Sequence, residues 1–422
     1  MVRVVAFYLP QFYPFPENDR WWGKGFTEWT NVTRAQPLFE HHYQPRLPAD
    51  LGFYDLRVWA TRHEQERLAK EHGIDAFCYY YCWFSGTRLL NRPLDEMLTD
   101  PASDMPFCLC WTNESWTRRW DGAEKQILIE QKYLPEDDLK FIKSVEPFML
   151  DKRYLRLDGA PLLIVYVPQQ LPDAGKSIAV WREYWRSQGH GELHLCAALT
   201  HNNEDHAQFG FDSGVEFPPH NLRGENVTSE ITFYRAFRGT VKQYASVARE
   251  YLERRYANPN VFRSVFPSWD NTARTNEGAL VILNGTPANY EYWLAEALRR
   301  TRHDHPGKEW LVFINAWNEW AEGCYLEPDR RHGGEFLEAT RRAVAGESVL
   351  EDFTHTGLPA PGDVHRDFLA ELAEIIEYHI QLRIGKLRLW LKRHPRLKIL
   401  VRALLSPYRR LRVWNAARRS RR

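Results

Sequence analysis

WLVFINAWNEWAEGCYLEPD, residues 310–329, opens as a continuous apolar run and closes on acids and aromatics. The first eight positions, WLVFINAW, suit a strand buried on both faces, as parallel sheets require. Glu319, Glu322 and Glu327 then appear among Trp317, Trp320 and Tyr325. Residues three apart on an extended strand point to opposite faces, so Glu319 and Glu322 can share a pocket only if the strand stops before them. A turn near Asn318, with Gly323 free to take unusual dihedrals, brings both carboxyls to one point on the rim of a sheet.

Seven more runs of the same texture precede this one, at 3–9 (RVVAFYL), 75–84, 107–112, 161–167, 193–199, 214–217 and 261–268; with 310–317 they make eight. Helical patterns lie between several of them, at 55–71, 136–150, 178–188, 240–256, 288–302 and 336–345, with Ser177 and Thr286 placed as caps. Buried strands alternating with helices predict an α/β fold, a (β/α)8 TIM barrel over residues 1–345. An open doubly wound sheet is the alternative. It lacks its usual signature, because the first strand is followed by a long aromatic excursion, YLPQFYPFPENDRWWGKGF, and not by a Gly-rich phosphate loop.

Composition narrows the class. With 44% hydrophobic and 26% charged residues in 422, the chain is globular and large enough for a sizeable core. Its six cysteines sit inside apolar runs, without CxxC pairs or His/Cys spacing for zinc, and read as small core residues in a reducing compartment. MVRVVAFYLPQF enters a strand at once, without the pattern of a secretory signal, and no run of 18 uncharged apolar residues suits a spanning helix. These features predict a cytoplasmic protein without metal or other cofactor.

The net charge of +1 hides a division. Residues 378–422 carry 15 Lys or Arg and no acid, which leaves 1–377 at −14. After a Gly/Pro-bearing linker at 346–367, residues 368–422 read as a basic amphipathic helical tail. Such helices lie on anionic bilayers, so peripheral attachment to the inner face of the plasma membrane is one expectation. Packing on the barrel or a partner is a second, and nucleic-acid binding ranks last.

In a barrel of this kind the side chains at the carboxyl ends of the strands line one pocket. Those ends supply Tyr80, then Trp111, Asn113 and Glu114, then His201, Glu216, His220 and Asp270, and finally Trp317, Asn318 and Trp320, with Trp29 in the first excursion. Acids, amides and indoles together suit a saccharide, whose hydroxyls need polar partners and whose ring faces need stacking platforms. Two carboxyls roughly 5–7 Å apart, one protonated and one ionised, can cleave or transfer a glycosidic bond. Glu319 and Glu322 are the candidate pair.

Longer motifs support this. FYLPQFYPFPENDRWWGKGFTEWTNV, LPADLGFYDLR, FCLCWTNESWTRRWDG, EFPPH and FINAWNEWAEGCYLEPD resemble the bacterial WbsX-type family, described as glycosyltransferases of lipopolysaccharide and capsule assembly. That family is similar to glycoside hydrolase family 99, the endo-α-mannosidases. The resemblance covers about residues 1–345 and implies a (β/α)8 barrel without metal dependence, acting with retention through a 1,2-anhydro sugar. It implies that Glu319 takes the proton of the sugar's 2-hydroxyl and that Glu322 protonates the leaving group, because NEWAEG matches the hydrolases' NEWHEG in order and spacing, with Ala321 in place of His. The expected function is therefore synthesis or cleavage of an α-glycosidic bond in O-antigen or capsule assembly, on an oligosaccharide or lipid-linked glycan. Hydrolytic trimming of such a glycan and non-catalytic glycan binding are the alternatives.

Overall fold

Eight parallel strands form a closed ring in a computed structural model of the chain, which describes residues 2–118, 123–354 and 357–358. They are β1 (Val2–Tyr8), β2 (Ala76–Phe84), β3 (Phe107–Trp111), β4 (Ala160–Val165), β5 (His194–Leu199), β6 (Ser213–Glu216), β7 (Val261–Val265) and β8 (Trp310–Ile314). Each pairs with the next in chain order, and β8 returns to β1 with Val2 opposite Trp310 and Ala6 opposite Ile314. The expected (β/α)8 barrel is the observed fold, and all eight predicted strands are present. Burial explains their legibility: every residue of β2 is buried, since one face meets the barrel interior and the other the surrounding helices.

The helices are α1 (Pro16–Trp22), α2 (Glu28–Arg34), α3 (Trp59–Glu71), α4 (Arg92–Thr99), α5 (Asp137–Met149), α6 (Ala174–Ser187), α7 (Tyr244–Glu253), α8 (Thr272–Thr275), α9 (Pro287–Asp304) and α10 (Glu335–Ala345). Thr286 caps α9 as expected, accepting from the Asn289 amide. Ser177 does not cap α6; Asp173 does, accepting from the Lys176 amide and starting the helix four residues earlier. The helix expected from 240 begins at Tyr244, because β-branched Thr240 and Val241 open a short strand, Thr240–Gln243, that pairs with Leu280–Leu283. Trp269–Asp270 completes this small sheet, which encloses a second apolar cluster with Leu38, Phe39 and Val281.

Strands seven and eight also stop earlier than the apolar pattern suggests, at Val265 and Ile314. The linker expected at 346–367 is described only in part. Its stretch 351–354 packs on the barrel, with Asp352 paired to Arg249 at 2.7 Å and Phe353 buried edge-on against Tyr292. The tail expected at 368–422 lies outside the described residues. Among those described, all six cysteines are buried without disulfides and no helix is long and apolar enough to cross a membrane.

Aromatic packing joins the barrel to its helical layer. Trp111 stacks on Phe141 of α5 with ring centroids 4.0 Å apart, and Phe141 also meets Trp83 and Trp181 at 5.6 and 5.4 Å. Truncation of the fully buried Phe141 to Ala would leave a cavity among three indoles. A loss of about 3–5 kcal/mol in denaturant unfolding is the expected result.

Candidate active site

Beyond β8 the chain forms a miniature hairpin. Asn318–Glu319 pairs antiparallel with Cys324–Tyr325, and a single 3-10 turn, Trp320–Glu322, joins them. Residues three apart on such a turn eclipse one another, so Glu319 and Glu322 come to one side although an extended strand would have parted them. Gly323 closes the turn at φ +59°, a left-handed conformation. A Cβ there would lie 2.9 Å from the Asp270 carbonyl oxygen and 3.0 Å from Cζ of Arg46.

Three residues of the opening stretch hold this hairpin in place. Asn318 bridges both backbone groups of Leu9, accepting from its amide at 2.7 Å and donating to its carbonyl at 3.0 Å. Trp320 stacks on Tyr325 at 3.8 Å and donates its indole N–H to Glu327 at 2.6 Å. Glu327 also accepts from Tyr54 Oη at 2.8 Å and Gln65 Nε2 at 2.6 Å, which makes this third carboxylate a structural acceptor.

Arg274 joins the reacting pair. It lies on α8, directly after Trp269–Asp270, and donates Nη2 to Glu319 at 2.9 Å and Nη1 to Glu322 at 2.5 Å. Two nitrogens of one guanidinium thus hold both carboxyls, so the pair is no wider than a single fork spans. Glu319 uses Oε2 and Glu322 uses Oε1 in these bonds, which leaves the other oxygen of each without a protein partner among the described residues. Both side chains and Arg274 line a cavity of ≈ 520 Å³ at the carboxyl ends of the strands.

Burial pushes Glu319 up to about 8, against the pull of Arg274 and with added repulsion from Glu322 and Glu28. Burial raises Glu322 as well, again against Arg274. The two are in contact with one cation, so they titrate as a unit and hold a proton between them well above the usual carboxylate range.

Of the residues expected to bind substrate, Tyr80, Glu114, His201 and His220 line the same cavity. Tyr166, which the sequence reading missed, joins them and shares a 2.8 Å hydrogen bond with Nε2 of His220. The other eight lie elsewhere, each for an identifiable reason. Trp29 packs between Phe12, Tyr54 and Trp320 and gives its N–H to the Tyr54 carbonyl. Trp111 faces α5, with its N–H on the Trp83 carbonyl, and Asn113 is taken up by both backbone groups of Val167. Glu216 pairs outside the barrel with Arg263 at 2.8 Å and accepts from Tyr256. Trp317 is buried against Phe77, while Asn318 and Trp320 serve the hairpin as described.

Asp270 is the eighth. It is fully buried, accepts from His42 and Gln44 at 2.7 Å each, and receives both the amide and hydroxyl of Thr272. Burial opposes its charge, but His42 and Arg46 outweigh that and hold it well below the usual carboxylate range. Its role is to anchor the start of α8, and so to aim Arg274. Missed alongside Arg274 were Glu28, behind the guanidinium, and Gln11, Asn18, Trp22, Trp116 and Trp269 on the cavity wall. The aromatic excursion after β1 carries Gln11, Asn18 and Trp22 within the quoted motif, and their signal was polar and aromatic residues crowded into one strand-end loop.

The family model described as "Glycosyltransferase WbsX" matches residues 4–340. The chain belongs to this WbsX family. Two curated relatives from strains of Xanthomonas campestris pv. campestris, each described as "Uncharacterized protein WxcX", are 46% identical to it over 342 residues. The alignment covers 81% of this WbsX member and 49% of each relative, so the chain spans about half the length of the curated relatives it matches. Among solved structures, the GH99 endo-alpha-mannosidase from Bacteroides thetaiotaomicron superposes with a TM-score of 0.52 at 15% identity, covering 82% of this chain and 97% of that one. A "Glycoside hydrolase-like protein" matches equally, at 0.52 and 15%, over 81% and 94%. At such identity the likeness is one of fold. The family's description is of a glycosyltransferase, and the cavity described above is walled by carboxyls, amides and aromatics.

Two consequences are measurable. Gly323→Ala places a methyl group against backbone in a left-handed turn, and thermal or denaturant melts should show a loss of more than about 1 kcal/mol. Glu319 holds its proton to about 8 when folded. Unfolded, it would release it near 4.5, so folding is disfavoured progressively as pH rises through that window. The melting temperature of Glu319→Gln relative to that of the unaltered protein should therefore rise from pH 5 to pH 8.

Proposed function

We propose that this WbsX protein makes or breaks an α-glycosidic bond of a bacterial surface polysaccharide, with Glu319 and Glu322 as the reacting carboxyls and a glycan as donor. The observation that carries the reading is the pair itself: two carboxyls on one guanidinium, at a cavity wall, each with an oxygen left for substrate. One shared proton on two adjacent acids is what a glycosidic bond requires, because an alcohol leaving group departs only as it is protonated.

The roles follow the route that the family resemblance implies. Ionised Glu319 takes the proton of the sugar's 2-hydroxyl as that oxygen attacks C1, closing a 1,2-anhydro ring, and Glu322 gives its proton to the departing oxygen. An acceptor hydroxyl or water then opens the ring at C1 and returns its proton to Glu322, while the 2-oxygen regains its proton from Glu319. Two inversions at C1 give net retention. In the unliganded site burial favours a proton on Glu319. A substrate hydroxyl donating to Glu319 stabilises the ionised form there and shifts the proton to Glu322, which is the more exposed of the two at 22% against 7%.

The charges around the pair favour a glycan donor. A nucleotide sugar leaves as a diphosphate, which is stabilised by cations or helix N-termini and gains little from a protonated carboxyl. Among the described cavity residues Glu114, Glu319 and Glu322 are acidic, and the guanidinium of Arg274 is already held by carboxylates. The family's description favours the other reading, sugar transfer from an activated donor.

Incubation with the host's lipid-linked oligosaccharides, with and without nucleotide sugars, followed by mass spectrometry separates the two. Redistribution or loss of sugar mass without nucleotide sugar is expected, and a mass gain that needs one would refute the glycan donor. Glu322→Gln and Glu319→Gln should each slow product formation by about 10²–10⁴-fold with folding intact. Full turnover by either variant would remove the pair from the reaction.

A further inference from the structure

Glu28 is a buried carboxylate that the proposed reaction does not use. It opens α2, its side chain is 0% exposed, and it is absent from the cavity wall. Its Oε1 accepts from Gln11 Nε2 at 3.3 Å and its Oε2 from Nε of Arg274 at 3.3 Å. The third guanidinium nitrogen is therefore engaged from behind, which fixes the plane of the fork whose Nη atoms address Glu319 and Glu322. The segment after β1, the turn after β7 and the hairpin after β8 each contribute to this cluster.

One cation thus faces three carboxyls whose side chains are 0%, 7% and 22% exposed, with Arg274 itself only 12% exposed. Three ionised carboxylates would leave two uncompensated negative charges there, and a water-poor site resolves such an excess by retaining protons. Among the described residues, the buried tyrosines and cysteines around the pair supply no cation. Tyr80 and Cys82 of β2, Tyr166 beyond β4 and Cys324 of the hairpin are all pushed upward by burial and stay neutral. Glu114, His201 and His220 line the same cavity as the pair, and burial raises Glu28 itself against the pull of Arg274.

We propose that Glu28 is a positioning residue that locks Arg274 across Glu319 and Glu322 and, by competing with that pair for the charge of a single guanidinium, obliges the pair to keep a proton. The acid needed for bond cleavage is then loaded before substrate arrives. The consequence for catalysis rests on the function proposed above, whereas the protonation is a property of the unliganded protein and can be read without any substrate.

Infrared titration of the full chain with isotopically labelled glutamate reads the carbonyl stretch of protonated carboxyls. Subtracting the Glu319→Gln/Glu322→Gln double variant isolates the pair from other buried acids such as Glu327. The unaltered protein should keep one protonated carboxyl in the pair at pH 7. Glu28→Gln, which preserves shape and an acceptor oxygen for Arg274, should lose that band about one pH unit lower, and Arg274→Gln about one unit higher. A pair fully ionised at pH 7, or a titration that moves in neither variant, overturns the proposal. So does collapse of the native melt in both, since a positioning role leaves the fold intact.

Where product can be measured, the alkaline limb of kcat in Glu28→Gln should move down with the infrared titration while KM is unchanged. A uniform loss of kcat with no movement of that limb would mark Glu28 as merely structural. Failure of the titration refutes this inference and leaves the reaction class standing. A normal titration with no glycan turnover does the reverse.

Discussion

Every nitrogen of one buried guanidinium holds a different carboxylate, and the architecture around the barrel mouth can be understood from that constraint. Arginine has the planar fork to satisfy several acceptors at once, but only if its backbone is fixed and each acceptor arrives at the correct angle. The protein meets the first condition by burying Asp270 under His42, Gln44 and Thr272 at the base of α8. It meets the second by ending β8 early and folding the following residues into a hairpin that Asn318 ties to Leu9. Loss of either anchor would leave the acids near one another without the geometry to share a proton.

The ring of strands was legible because continuous burial leaves an unmistakable pattern, and turn residues mark where each strand ends. Side-chain direction at the strand ends was less so, and register explains why. Tyr81 of β2 lies beside Trp111 of β3, and Tyr80 beside Cys110. Neighbours across a parallel pair share a face. Tyr80 lines the cavity, so Trp111 must face the helices, where it stacks on Phe141. Tyr80 and Trp111 therefore cannot both line the cavity, and the register that decides this follows from how the barrel closes and is not written in either strand alone.

A different limit applied to Arg274 and Glu28. Their importance comes from meeting each other across 246 positions of sequence, and neither stands out from its own neighbours. Arg274 is separated by one residue from the WDNT that comes after strand seven, and Glu28 sits inside GFTEWTNV, yet an isolated Arg or Glu in a loop is ordinarily a solvated charge. Only the fold shows that Glu28 is buried and Arg274 largely so, and burial is what turns an unremarkable charge into one that governs its neighbours.

The three acids of residues 319–327 show how finely this operates. Glu327 meets donors from Tyr54, Gln65 and Trp320, neutral groups that favour a carboxylate acceptor, yet burial still carries it up to about 7. Glu319 and Glu322 meet instead a cation whose charge is already divided with Glu28. Both oxygens of Glu327 are engaged by protein donors and the residue does not line the cavity, so it supports the hairpin. A carboxyl that shares a guanidinium, and keeps one oxygen open to a cavity, can both accept and release a proton at that oxygen. The difference between a structural and a reactive glutamate in this stretch therefore lies in which partners the fold brings to them.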